Sequence, residues 1–484
     1  MRKKYISLSI FLFIISLLSA ENQMIEILVS NITELNSAIL SATPGQTIVM
    51  KDGRWKNVVI DFKAGGTSLS PVVLRAQNPG KVVLTEKSML IFSKPNLVVD
   101  GLVFRNGTIE SGSVITFISD SCRLTNVVIR DYNPSDFQKA YYWVYFQGSY
   151  NRMDHCLMTG KNNMNPVVQN HEENSRYNRV DSCIVRDIPY IRKANGREIF
   201  RIFGYGHADQ TGNDGAYFSV EYNLFEQAHG EGTEIVSLKS NYNSVKYNTV
   251  IASKGGLVNR RGKHNIIEGN IILGKGMEKS CGIRIADSGQ MVVNNYIENV
   301  AEDGIRLMSG EYYEKSLTPN FAPKQKDLPK YLQVKNCYFG NNSVINCGGN
   351  GFDIGYNYMS HWPDLQMVLL PENNHFNNNL VSGCKGFSFF EADQTTTTPL
   401  NIFKFKPNFY DGNIMWGGDK NIKTTRPDEI KMENPKLKYS SFGLYKTECN
   451  KGANSTKDSD NQTLKALHQL TENEVGPKWL IHKN

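Results

Sequence analysis

After its first 20 positions the 484-residue sequence has no run approaching the roughly 20 apolar residues that a membrane-spanning helix needs. It has no CxxC pair either. Its eight cysteines (Cys122, Cys156, Cys183, Cys281, Cys337, Cys347, Cys384 and Cys449) are scattered without zinc spacing. They read as buried free thiols that pack like small hydrophobes, although an exported chain permits disulfides. No tail or block carries one charge sign, and no aromatic-basic recognition motif is present, which argues against nucleic acid as partner. Helical apolar periodicity and Asn-Gly hairpin signals are both scarce. With 40% hydrophobic and 21% charged residues, the chain has ample material for a large core and is neither disordered nor collagen-like.

The first residues are MRKKYISLSIFLFIISLLSA: a basic start at Arg2, Lys3 and Lys4, an apolar run from Tyr5 to Leu18, and small residues at Ser19-Ala20. This pattern predicts a signal peptide over residues 1–20 and an exported product, periplasmic or secreted. Glu21, not Cys, follows the expected cut, so nothing marks a lipoprotein. Removing the three basic residues lowers the formal charge from +7 to +4, so the mature chain is mildly basic.

What the sequence does have is a repeat. Between about 95 and 390, short β-prone runs follow Asn or a similar polar residue, as in Asn126-Val-Val-Ile, His155-Cys-Leu-Met, Asn223-Leu-Phe, Asn248-Thr-Val-Ile, Asn270-Ile-Ile-Leu, Asn295-Tyr-Ile and Asn342-Ser-Val-Ile. The steps from Asn223 to Asn248, Asn270 and Asn295 are 25, 22 and 25 residues, a solenoid period. Short strands, polar turns and little helix predict an all-β parallel β-helix in which each repeat is one coil. Asn is expected in the turns because it tolerates left-handed backbone angles. Ile32-Thr-Glu-Leu-Asn-Ser-Ala-Ile-Leu has the apolar spacing of a short amphipathic helix, suited to capping the open end of the solenoid. The pattern weakens after about 400, and 450–461 (NKGANSTKDSDN) reads as a polar loop. The expected organisation is a signal peptide (1–20), a β-helix domain (21–400) and a C-terminal extension (401–484).

Four cations follow at one-coil spacing: Lys239, Arg260, Arg284 and Arg306, separated by 21, 24 and 22 residues. Each is expected near the same place on successive coils, as a ladder with rungs about 5 Å apart. Solvated surface cations are the bland alternative. A linear polyanion suits such a face, since Arg forks grip carboxylates and sulfates in pairs. Glu231 and Glu234 lie just before Lys239 and Asn195 lies upstream, hard oxygen ligands of the kind calcium prefers, although a carboxylate near Lys is more often an ion pair. Glu234 and Lys239 are five residues apart, so a bend or bulge must intervene if both serve one site.

NGREIFRI, GEGTEIVSLKS, the Arg260-Arg261-Gly262 segment and GIR at Arg284 resemble polysaccharide lyase family 6, the alginate lyases and chondroitinase B, over most of residues 25 to 390. The resemblance implies a right-handed parallel β-helix, with Lys239 as general base, Arg260 as catalytic arginine, and Asn195 and Glu234 on calcium ligands. Lys161 and Arg284 are similar to residues that bind substrate. Two departures stand out. The family's ExE has one residue between its acids, whereas Glu231 and Glu234 enclose Gly232-Thr233, so Gly232 takes a ligand position and calcium is expected to be weak or unnecessary unless a bulge lets Glu231 reach it. The family's Arg-His-Gly is here Arg260-Arg261-Gly262, which makes Arg261 a further substrate-binding candidate.

The implied activity is β-elimination on a uronate-containing anionic polysaccharide, alginate ahead of dermatan sulfate. The rivals are a glycan-binding β-helix without catalysis and a hydrolase; a hydrolase needs paired carboxylates, and no convincing Asp pair lies near the cations. Oligomeric state is not legible.

Overall fold

The computed structural model describes residues 26–481 except 172, 193–194, 208–210, 313–330, 363–364, 395–402, 441–442, 448 and 454–464; the signal peptide and most of the polar loop lie outside the described residues. The chain winds into a parallel β-helix whose three sheets have 14, 14 and 13 strands among the described residues. Each coil adds one strand to each sheet in turn. The opening full coil, for example, gives Thr47–Met50 to the first sheet, Gly53–Lys56 to the second and Val59–Phe62 to the third. Coils continue through Ile430–Met432, which pairs with Asn413–Trp416, so the solenoid extends about 30 residues past the boundary expected near 400.

Inward residues stack in register, coil upon coil. In the first sheet Ile48, Leu74, Val99, Leu124, Met153 and Val180 are successive partners, all fully buried. In the third, Phe92, Phe117 and Phe146 stack with centroids 4.5 and 4.6 Å apart. Seven of the eight cysteines are buried and all are free, as their small apolar character suggests.

Of the repeating residues, Asn126 and His155 take the expected left-handed backbone, with φ of 55° and 50°, whereas the rungs from Asn223 onward have another role. Asn223, Asn248, Asn270, Asn295, Asn342 and Asn379 are buried, and each backbone N–H and side-chain amide donates to the side-chain oxygen of the next rung. The left-handed angle belongs to the residue before the rung: Tyr222, Tyr247, Asn294, Asn341 and Asn378 all have φ near +55°. A ladder is favoured here because it satisfies buried backbone groups that a tight turn would leave without partners.

The N-terminal end of the solenoid is capped, and one of its faces is covered. The expected helix spans Ile32–Ser41, capped by Asn31, whose side chain accepts from the Glu34 amide at 3.0 Å, while the Glu34 carboxylate takes the Ser30 amide at 2.7 Å. It buries Leu35, Ala38 and Ile39 against the first coil. After Met432 the chain runs back along the outer face of the second sheet. Tyr445 meets Tyr296, Leu470 meets Thr249, Gly476 meets Ser182, and Trp479 meets Asn126. Leu470 and Val475 cover an apolar stripe of Val103, Val128, Leu157, Ile184 and Leu224. The C-terminal extension is therefore a strap that spans many coils of the second sheet and, among the described residues, leaves the third sheet to other segments.

Candidate active site

Pairing along the outer face of the third sheet runs Gln169, Arg201, Ser237, Val258, Arg284, Arg306 and Asp353, one residue per coil. Arg284 and Arg306 are thus true neighbours. Lys239 and Arg260 are also neighbours, but each lies two residues beyond this row, at the strand ends, where Leu238 pairs with Asn259. The expected four-rung ladder is two pairs, offset along the strands by about 7 Å. The cause is coil length: Val258 to Arg284 is one register step of 26 residues, so the 24-residue step from Arg260 to Arg284 falls two residues short.

At the strand ends Lys239, Arg260 and Arg261 line a cleft of about 220 Å³ with Phe203. The amides of Arg260 and Arg261 both donate to the Leu238 carbonyl, at 2.9 and 3.1 Å, so the chain bends there and turns both arginines into the cleft. The Arg260 guanidinium lies 3.7 Å from the centroid of the Tyr331 ring, and the Lys239 ammonium 5.3 Å from that of Phe203. Burial, then the neighbouring Arg260 charge, draw the Arg261 pKa below its ordinary value. Three cations crowd one small volume, a setting made for anionic groups.

Lys239 does not stand alone. Its Nζ lies 2.6 Å from a carboxylate oxygen of Glu198, a buried residue whose other oxygen is 3.5 Å from Arg201. Arg201 is fixed in turn by Gln169 at 2.6 Å. Sequence reasoning missed Glu198; its one signal was an acid three residues before Arg201 within the NGREIFRI segment.

At the opposite ends of the same strands lies a second cavity of about 210 Å³, lined by residues including Tyr190, Glu231, Lys279, Arg284 and Arg306. Glu234 pairs there with Arg284, which is two coils away. Burial acts to raise the Glu234 pKa, but the charges of Arg284, Lys239 and Arg260 outweigh it and hold the carboxylate below its ordinary value. The bulge required between Glu234 and Lys239 is present, as a register shift between Glu234 and Val236.

The acidic residues do not fit a calcium ion, which takes six to eight oxygens. Glu234 is held by Arg284. One oxygen of Glu231 accepts the amides of Gly196 and Arg197 at 2.8 and 3.1 Å, and the other the Thr233 hydroxyl at 2.7 Å. Burial and then the nearby Glu198 and Glu234 charges raise the Glu231 pKa. Over Gly232, the position that the resemblance gives to the acid two residues before Glu234, lies the Tyr190 ring: a Cβ at 232 would meet it at 2.6 Å. Asn195 is exposed. No cluster of three or more His, Cys, Asp or Glu side chains with metal-binding geometry occurs among the described residues.

Lys161, expected on the substrate face, is buried instead. Its ammonium donates to the Asn163 carbonyl and side chain and to the Met164 carbonyl at 2.7–3.1 Å, and burial, then Arg197, push its pKa well below the ordinary value. Arg197, also buried, donates to the carbonyls of Lys161, Asn163, Pro189 and Gly230. The two cations tie together the loops behind the acidic cluster and present no charge to the cleft.

A sequence model of the Chondroitinase B family matches residues 29–375. Among solved structures, a family 6 polysaccharide lyase from Pseudopedobacter saltans is 41% identical with a TM-score of 0.78, over 94% of this chain and 99% of that one. The family 6 alginate lyase AlyGC is 25% identical with a TM-score of 0.74, over 94% of this chain and 58% of that one. A mannuronic acid specific family 6 lyase from human gut microbiota is 26% identical with a TM-score of 0.69, over 85% and 92%. No curated protein sequence matches the chain. A sheet of paired cations on a parallel β-helix, with these likenesses, defines a polysaccharide lyase. The chain belongs to polysaccharide lyase family 6.

Proposed function

We propose that this protein is an exported lyase that cleaves alginate by β-elimination, leaving a 4,5-unsaturated uronate at each new end. The observation that carries this reading is the cleft formed by Lys239, Arg260 and Arg261. Elimination at a uronate requires the C5 proton to be acidified by neutralising the neighbouring carboxylate, then removed by a base while the C4–O4 bond breaks. Arg260 and Arg261 supply fixed positive charge for the carboxylate and the enolate that develops from it. Lys239, beside them, is the base. Arg284 and Arg306, offset along the strands, hold anionic groups of neighbouring sugars. Tyr142, Tyr145 and His171, on the preceding coils of the same sheet, offer ring faces and polar edges to the rest of the chain.

Alginate is favoured over dermatan sulfate because two of the similar solved structures are described as an alginate lyase and a mannuronic acid specific lyase. Dermatan sulfate is the second substrate to test, in view of the Chondroitinase B family model. The experiment is a panel of alginate, its mannuronate and guluronate blocks, dermatan sulfate and pectate, read by the ultraviolet absorbance of the new C4–C5 double bond. Activity on none of them overturns the reading. Export follows from the basic-apolar-small pattern of residues 1–20 and is tested by finding the mature protein outside the cytoplasm, beginning at Glu21.

A further inference from the structure

We propose that Glu198 is the positioning residue of the base: it holds Lys239 in the resting cleft and takes its proton when substrate enters, so that Lys239 meets the C5 proton as a free amine. The inference rests on the lyase reading and extends it to Glu198, which lies within the NGREIFRI segment but to which the resemblance assigned no role.

A lysine base faces a contradiction. An ordinary lysine is protonated at neutral pH, and a carboxylate in contact with it favours the charged form further. Yet here the contact is close and built in, at 2.6 Å, with the Glu198 side chain only 4% exposed and that of Lys239 19% exposed. Glu198 cannot swing away, because Arg201 sits 3.5 Å from its second oxygen and is itself anchored on Gln169 and reaches Tyr142. The groups facing Glu198 are Lys239, Arg201 and the Glu231 charge; those facing Lys239 are Glu198, the Glu234 charge, and the Arg260 and Arg261 side chains of the next coil.

The contradiction disappears if the pair is treated as a unit that carries one proton. Moving that proton from Nζ to the carboxylate oxygen along the 2.6 Å contact converts two charges into two neutral groups. In water the charged form wins; in a cleft from which a polysaccharide has expelled water, the charged pair loses its solvation and the neutral pair gains ground. The Nζ lone pair then takes the C5 proton, the C5–H electrons form the C4–C5 double bond, and the C4–O4 electrons leave with the departing oxygen. The ammonium so formed gives its proton to that oxygen by way of solvent, and Glu198 returns the stored proton to Lys239. One proton has moved from C5 to O4, and the pair is restored without any co-reactant.

The test is the pH profile of Glu198→Gln in the full-length mature protein, on whichever uronate polysaccharide the wild type cleaves. Gln keeps the size and an accepting oxygen but cannot store the proton, so Lys239 must lose it to bulk water. The expected result is an acid limb of kcat/KM shifted by about one pH unit or more toward alkaline, and kcat at neutral pH reduced about tenfold or more. KM should be little changed, and activity should recover as pH rises. Glu198→Asp, with a carboxylate one methylene shorter, should fall between Gln and wild type; it carries the test if the Gln variant fails to give a native circular dichroism spectrum. An unshifted profile, or a shift toward acid with neutral activity kept or raised, overturns the inference and leaves the lyase reading standing. A wild type that cleaves no uronate polysaccharide overturns both.

Discussion

Glu234 and Arg284 meet across an intervening coil, over Gly256, which pairs with Glu234 on one side and lacks the side chain that would separate them. A Cβ at Gly256 would approach the Gly282 carbonyl oxygen to 2.2 Å, so the gap cannot be filled without moving the strand. The pair thus belongs to the backbone design of these coils and couples the acidic cluster to the arginine row.

That coupling sets the expectation for Arg284→Ala. Removing one partner of a buried pair leaves Glu234 uncompensated, at about 3–5 kcal/mol of stability. Apparent affinity should weaken about tenfold or more through loss of a charge-assisted contact to substrate. Adding Glu234→Gln to the same protein should recover most of the melting temperature but not the affinity. If the double variant regained both, Arg284 would serve the fold alone.

Lys239→Ala and Arg260→Ala should each abolish elimination while circular dichroism stays native, because both side chains line the cleft and neither fills the core; Lys239→Ala should also lower the melting temperature, since it leaves the buried Glu198 carboxylate without its ammonium partner. Substrate binding should largely survive in Lys239→Ala. Substantial activity in either purified variant would remove that residue from the chemistry.

Dialysis against a chelator should leave activity unchanged within about twofold, and added calcium should not raise it. Glu231, Glu234 and Glu198 already have partners, and Tyr190 lies over Gly232. Loss of activity that calcium restores, accompanied by calcium binding in a calorimeter, would show that these partners give way to the ion.

The coil architecture was legible because the rungs Asn223, Asn248, Asn270 and Asn295 recur where a buried amide is needed, and that requirement leaves its mark at every turn. The pairing of Lys239 with Arg260 was legible for the same reason, since Leu238 and Asn259, just before them, are in register. The slip between Arg260 and Arg284 was not, because an extra residue between Ser280 and Ile283, opposite Gly255–Leu257, lengthens that coil and spacing alone does not report register. Lys161 misled in another way: flanked by Gly160 and Asn162, it reads as an exposed loop cation, and only three-dimensional packing shows carbonyl oxygens closing around it. Glu198 gave almost no signal, since its partner Lys239 lies 41 residues away, on the next coil.

Asp353 sits in register with Arg306, with one side-chain oxygen buried and without a hydrogen-bond partner and the other accepting from Asn350 at 2.9 Å. Burial, then the Asp303 charge, raise its pKa from 3.8 to about 6. A carboxyl with a raised folded value contributes its relative stability fully below its unfolded pKa and loses it as pH rises through about 6. Asp353→Asn should therefore raise stability by about 1–3 kcal/mol at about pH 8 and by little at about pH 4. Equal melting temperatures for the two proteins at both pH values would show that the carboxyl ionises in the fold without penalty.

The strap offers the most direct test of how the solenoid is held together. Val103, Val128, Leu157, Ile184 and Leu224 lie on five successive coils, and they are buried in one cluster with Leu470, Val475, Trp479 and Leu480 near the C terminus. The anchor is Trp479, whose indole N–H donates to the Asn126 carbonyl at 2.9 Å and whose ring lies against Gly80, where a Cβ would come within 2.5 Å. Burying an aliphatic side chain is worth about 1.5–3 kcal/mol, so a chain ending at Glu433 should lose about 5 kcal/mol or more and expose a continuous apolar stripe. Trp479→Ala alone should cost about 2–4 kcal/mol by releasing the end of the strap. Both proteins should keep their activity at low temperature, because the strap lies on the second sheet and the cleft on the third. Thermal melts with and without the last 51 residues read the stability directly, and dye binding reads the exposed stripe. If the shortened chain melted at the wild-type temperature, the coils would be self-sufficient and the strap only a cover; if it lost activity while still folded, the second and third sheets would be coupled through the core that they share.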